Sequence, residues 1–218
     1  PYLPPLPRTW FMARPSFRRY ALREAAAIFV ALAGLDLGAG AVALARGAES
    51  FAAWWHLHQQ PAAFVLAAVT LVMASFHAFT WLPILPIAVP PRRAWASWSR
   101  PIRPRPPATH REPLRWGLFG AGGTLAALAL PPFIGALYLM TAAGAGPLEA
   151  ADLEVTARSW AARAIVAVAA PSLLWHGAHR SYHGLHDLQI RRGPAAWAST
   201  YGAALVASSV TWIALLLA

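Results

Sequence analysis

The chain contains no cysteine. That excludes a disulfide framework, a thiolate metal site and a cysteine-ligated iron–sulfur cluster. Lysine is absent too: all 18 basic residues are arginine. Charge is scarce altogether, at 12% of the 218 residues, where a soluble chain carries about a quarter. Against that stand 58% hydrophobic residues, 11 tryptophans and a mean hydropathy of +0.45. A soluble core could not hide so much apolar surface behind so few charges, so the chain reads as an integral membrane protein. The first twenty residues lack the apolar run of a cleavable signal. They are rich in Pro and Arg, from Pro1 to Arg19, and we expect residues 1–20 to form an ordered cytoplasmic arm lying on the membrane or on a partner.

A helix needs about 20 apolar residues to cross roughly 30 Å of hydrocarbon. Five stretches qualify: Ala21–Ala45, Ala62–Leu85, Trp116–Ala143, Ser159–Asp187 and Ala195–Ala218. The expected fold is therefore all-α, an integral membrane five-helix transmembrane bundle. Pro131-Pro132 and Pro171 are expected to kink the third and fourth helices. The stretch Pro83–Pro113 is dense in Pro and Arg and reads as an extended linker. The organisation is then an arm over 1–20, a two-helix half over 21–85, a cytoplasmic linker over 86–113 and a three-helix half over 114–218.

The charges sort by side. Fifteen arginines fall on the arm, the linker and the loop after the fourth helix, and only Arg46, Arg158 and Arg163 fall on the opposite face. The positive-inside rule puts the N-terminus in the cytoplasm and the C-terminus outside. Trp54, Trp55, Trp116, Trp160 and Trp197 lie at span ends, as an interfacial belt does. The basic surface is read as topology and attraction to anionic membrane lipid, with no nucleic-acid partner.

Four of the eight histidines, His176, His179, His183 and His186, share one face of the fourth helix. Ionisable groups within spans usually face a bundle interior. His186 is expected only to reach cytoplasmic water, whereas His176 lies roughly 16 Å from the span end. His77 stands alone on the second helix, roughly 12 Å from the same end. Two imidazoles at one depth on two helices can ligate a haem iron axially. Arg23-Glu24 open the first helix, and Trp116 to Gly123 open the third. With Arg180 and His183 they gather an acid, cations, an indole and imidazoles in one layer near the inner face. An ion pair between Glu24 and an arginine is the plain alternative there. Asp36 lies deeper, and a buried polar contact is its expected role.

These residues carry a resemblance. Arg14-Pro15-Ser16-Phe17-Arg18-Arg19-Tyr20-Ala21-Leu22-Arg23-Glu24, and Gln60-Pro61 leading to His77-Ala78-Phe79-Thr80-Trp81, make the 21–85 half similar to the C subunit of the fumarate reductase membrane anchor, in the complex II superfamily. Arg111 to Gly123, and Trp175-His176-Gly177-Ala178-His179-Arg180-Ser181-Tyr182-His183-Gly184-Leu185-His186-Asp187-Leu188, make the 114–218 half resemble the D subunit of that anchor. The third span usual for the C subunit is absent, giving a fused five-span anchor. The best-known D subunit has cysteine at the position of His176 and lacks haem. Haem-bearing relatives place an axial histidine eleven residues before an aspartate, as His176 and Asp187 stand here.

The resemblance implies a multi-pass subunit of the inner (cytoplasmic) membrane, with a quinone site, in a quinol:fumarate oxidoreductase or succinate dehydrogenase. Flavoprotein and iron–sulfur subunits would dock on its cytoplasmic face, and dicarboxylate chemistry would take place in them. It implies quinone binding, of menaquinone or ubiquinone, by Arg23, Glu24, Trp116, Phe119, Gly120, His179, Arg180 and His183, with Glu24 as proton acceptor. His77 and His176 become candidate axial ligands of haem b. The competing class is a small transporter or proton channel using the histidine stripe. Transporters more often show paired broken helices or repeats, and none is visible in this sequence.

Overall fold

The computed structural model describes the backbone of residues 7, 9–82, 112–142, 149–190 and 193–218, with side chains over those ranges except 112–116 and 137–142. Most of the predicted linker and the first residues of the arm lie outside the described residues. Among the described residues a 3₁₀ turn, Trp10–Met12, precedes eight helices: α1 Pro15–Arg46, α2 Ala48–His58, α3 Pro61–Trp81, α4 Glu112–Leu128, α5 Leu130–Ala142, α6 Ala150–Arg158, α7 Trp160–Asp187 and α8 Pro194–Leu217. Five stretches are long and apolar enough to cross a membrane: α1, α3, Gly117–Ala136 across α4 and α5, α7 and α8. No strand occurs among the described residues, and the all-α five-span architecture stands. The chain is a multi-pass membrane protein.

Local chemistry sets the ends. α1, α3 and α8 begin with proline at the first helical position, after residues in extended conformation. There the missing N–H is one that would have no partner anyway. α1 therefore starts at Pro15, inside the stretch read as the arm. α1 stops at Gly47, whose φ of 109° suits only glycine well. Ser159 caps α7 by accepting from the Ala162 N–H at 3.2 Å. α7 closes with Gln189 in the left-handed region and the Ile190 N–H on the Leu185 carbonyl.

The two proline sites behave differently. The third span breaks at Ala129, just before Pro131-Pro132. α7 stays helical through Pro171. Proline has no N–H to give the carbonyl four residues back, so the Ala167 oxygen is released. The Trp212 indole N–H of α8 takes it at 2.7 Å, which satisfies the group within a span, where water cannot.

α7 is the hub of the bundle, packing on α1, α8 and α4. Apolar side chains alone do not drive helices together in lipid, so close packing of small residues must. A Cβ on Gly177 would lie 2.4 Å from the Ala31 Cβ and 2.9 Å from the Ala27 carbonyl oxygen. A Cβ on Gly122 would lie 2.1 Å from the Ser172 carbonyl oxygen and 2.6 Å from the His176 Cβ. These two glycines let α1 and α4 reach α7, and so bring the first and third spans to the histidine-bearing helix.

Candidate functional site

Near one end of the bundle, α1 and α7 meet through charge. Arg180 Nη1 donates to Glu24 Oε2 at 2.9 Å, and Arg23 Nε lies 3.5 Å from Glu24 Oε1. The Glu24 side chain is 9% exposed. Two guanidinium groups thus surround one carboxylate, leaving a net positive charge. The cluster is incompletely bonded: Arg23 Nε, Glu24 Oε1 and Arg180 Nε are buried without a hydrogen-bond partner. The Arg180 guanidinium lies over the Phe119 ring of α4 at 4.7 Å, a cation–π contact.

The histidine stripe is graded. His176 is fully buried, His179 is half-buried, and His183 and His186 are exposed. The expectation for His186, contact with water, matches its place. Phe119 stacks on His176 with centroids 4.7 Å apart and planes 7° apart, and it also touches His179 at 4.6 Å. The Phe119 carbonyl can only accept, so the 3.0 Å contact with His176 Nδ1 places the proton on that nitrogen. Its Nε2 then presents a lone pair, with no partner. The His179 and His183 rings lie 4.4 Å apart, tilted by 38°, and His179 Nδ1 meets the Tyr201 hydroxyl of α8 at 2.9 Å.

His77 of α3 is 1% exposed and lies edge-on to His176, centroids 5.4 Å apart. Among the described residues neither His77 nitrogen makes a full hydrogen bond, although the Arg23 backbone lies close enough to interact with the ring. Buried imidazole nitrogens short of a full hydrogen bond ordinarily cost about 1–3 kcal/mol per group. The structure thus brings Arg23, Glu24, Phe119, His179, Arg180 and His183 to one region, with His77 and His176 beside it. Gly120 lies on α4 with nothing within 4 Å of a built Cβ. The Trp116 side chain lies outside the described residues.

Two polar clusters were not visible in the sequence. Asp187 at the end of α7 accepts from the Tyr20 hydroxyl at 2.8 Å, and its backbone oxygen accepts from the Trp10 indole at 2.6 Å. This clip ties the arm and the start of α1 to the end of the histidine helix. Its only sequence signal is a tryptophan and a tyrosine beside Arg23-Glu24. At the opposite end, Asp36 takes His58 Nε2 at 2.9 Å and the Trp54 indole at 3.3 Å. The expectation for Asp36 is a buried polar contact; the contact is present but not buried, because α2 covers the carboxylate only in part and leaves its side chain 49% exposed. Burial pushes the His58 pKa down most strongly; the hydrogen bond and charge of Asp36, with the Trp54 carbonyl, outweigh it and leave it above 6.5.

Comparison with known proteins gives the family. Residues 1–94 match the model of the fumarate reductase C subunit family, and residues 107–216 match that of the fumarate reductase D subunit family. The fumarate reductase D subunit of Photobacterium profundum is 36% identical over 112 residues, 49% of this chain and 92% of the relative. That of Aliivibrio fischeri is 38% identical over 109 residues, 48% of this chain and 89% of the relative. That of Haemophilus ducreyi is 33% identical over 91 residues, 42% and 78% respectively. With two family patterns following one another along a single five-span polypeptide, the chain belongs to the fumarate reductase membrane subunits as a fused C and D anchor.

Proposed function

We propose that this chain anchors a quinol:fumarate reductase in the inner membrane and exchanges electrons with a quinone, menaquinone or ubiquinone, bound at the Glu24 cluster. The observation that carries this reading is the incomplete bonding of Arg23, Glu24 and Arg180. A quinone head group has two carbonyl oxygens and an aromatic plane. Arg180 is held by Glu24 and by the Phe119 face, so its remaining N–H groups are pre-oriented to donate. Arg23 Nε, 3.5 Å from Glu24 Oε1 but not hydrogen-bonded to it, offers a second donor. Glu24 Oε1, facing that guanidinium, would accept a proton released as quinol is oxidised. His179, His183 and Gly120 complete the wall, and an isoprenoid tail would leave into lipid. Quinone chemistry itself supplies the two-electron, two-proton exchange.

The arginine asymmetry supports a cytoplasmic N-terminus. The flavoprotein and iron–sulfur subunits would then dock on the arginine-rich face, directly over the Glu24 cluster. Glu24→Gln and Arg180→Leu test the pocket. Both should lower quinol-linked turnover of the assembled complex while fumarate reduction from an artificial dye donor persists. Wild-type quinol turnover in both variants, with assembly intact, removes the pocket from this place.

His77 and His176 would hold a haem b through ring nitrogens that make no full hydrogen bond among the described residues, on rings whose centroids lie 5.4 Å apart. The Phe119 carbonyl fixes the His176 tautomer that leaves Nε2 as donor atom. When bound, the haem would supply one-electron storage beside the pocket.

A further inference from the structure

At the end of the bundle opposite Glu24, a groove of about 520 Å³ runs between the start of α7 and the end of α8. Its floor is Ala164 and Ala167, and its walls are Trp160, Trp212 and Leu216, with Arg163 at its rim. The groove exists because two alanines, three residues apart, line up on one face of α7. Trp212 is fixed as one wall by its bond to the carbonyl that Pro171 releases. Trp160 and Leu216 are each 82% exposed, so the groove opens outward toward lipid.

Arg163 lies about 4.5 Å along the axis from the first residue of α7, level with the membrane boundary that the tryptophans mark. Among the described residues its guanidinium makes one hydrogen bond, to the Leu215 carbonyl, and no ion pair. Neighbouring Arg158, by contrast, is neutralised by Glu154 at 2.9 Å. A guanidinium has five donors and suits a phosphate in particular. A single cation above an apolar trough at the interface matches a phosphate joined to an acyl chain.

We propose that this groove is a binding site for an anionic glycerophospholipid. Arg163 holds the phosphate, the Trp160 ring lies at headgroup level, and one acyl chain lies on Ala164 and Ala167 against Trp212 and Leu216. The site is separate from the quinone pocket and does not depend on it.

Purified full chain in nanodiscs of mixed phosphatidylglycerol and phosphatidylcholine, released for native mass spectrometry, reads the retained lipid directly. Wild type should keep one phosphatidylglycerol more than Arg163→Gln, whose occupancy should fall roughly tenfold, as for one lost charge-assisted hydrogen bond. Arg163 also caps a helix end, so Ala164→Trp supplies a second arm. It fills the trough from an exposed position and leaves the Arg163–Leu215 bond in place. It should lose the same lipid. Arg46→Gln, an arginine on the same face but off the groove, should keep it. Equal lipid counts in wild type, Arg163→Gln and Ala164→Trp would overturn the proposal, as would retention of phosphatidylcholine in equal measure.

Discussion

At the Glu24 end of the bundle, two arginines and a carboxylate face one another across helices and leave three buried polar atoms unbonded. At the Arg158 end, Arg158 and Asp36 finish their bonding within the protein, and Arg163, with one hydrogen bond and no ion pair among the described residues, is the exception. Arg158 reaches Glu154, the Leu44 carbonyl and the Ala218 carbonyl at 2.9, 3.3 and 2.9 Å. Asp36 is held by both His58 and Trp54. Arginines that cap helix ends stabilise packing. Charges left short of hydrogen bonds in a low-dielectric interior are unfavourable, and this contrast is what the proposed quinone site rests on.

The sharpest way to break the contrast is to remove the packing beneath both ends. Gly122→Leu sets a side chain where a Cβ alone meets the Ser172 carbonyl at 2.1 Å, so assembled complex should be lost from membranes on an immunoblot. Gly202→Leu, with nothing within 4 Å, should assemble normally. Next in size is Glu24→Gln, which keeps the shape and removes the titrating group. Quinol-linked turnover should fall by about 100-fold or more, the usual weight of a general acid–base group, with dye-linked turnover unchanged.

The histidine pair gives a third test. If His77 and His176 hold haem, purified complex from haem-replete cells shows a b-type band in a dithionite-reduced minus oxidised spectrum, and His176→Leu abolishes it. Without a ligand, replacing both incompletely bonded imidazoles by leucine should instead raise thermal stability, since buried unsatisfied groups are unfavourable. A missing band together with a stabilised double variant would end the haem assignment.

The smallest effect belongs to the satisfied end. His58 has its folded pKa raised above 6.5. Its contribution is therefore complete below about pH 6.5 and lost as pH rises through the raised value. The midpoint difference between wild type and His58→Gln, followed by thermal scans in detergent, should be largest in mild acid and shrink in alkali. A difference that does not vary with pH would show that the Asp36–His58 contact is not ionic.

Much of this was readable in the sequence because bilayer thickness imposes it. Apolar runs fix the five spans, but three helices start before the expected Ala21, Ala62 and Ala195, at Pro15, Pro61 and Pro194, because proline suits the first turn. The meeting of His77 with His176 follows from equal depth, since helices of known rise carry depth along their length. Rotation about each axis was not legible. Helices that are apolar nearly all round give periodicity little to report, so which residues would clip together stayed hidden. Tyr20 on Asp187, and Trp212 on the carbonyl released by Pro171, depend on that rotation. The break at Ala129 was foreshadowed by Pro131-Pro132, whereas α7 stays helical through Pro171, with Trp212 compensating for the lost bond.

The largest helix contact in the molecule joins α1, from the C half, to α7, from the D half. In separate chains that contact must form by diffusion in the bilayer and must be tight enough to last. On one polypeptide the two halves are made in equal number and meet at an effective concentration on the order of millimolar. Their mutual affinity is thereby released from selection. Unpaired charge and unbonded imidazole can accumulate along that seam to a degree that two freely dissociating chains would not survive.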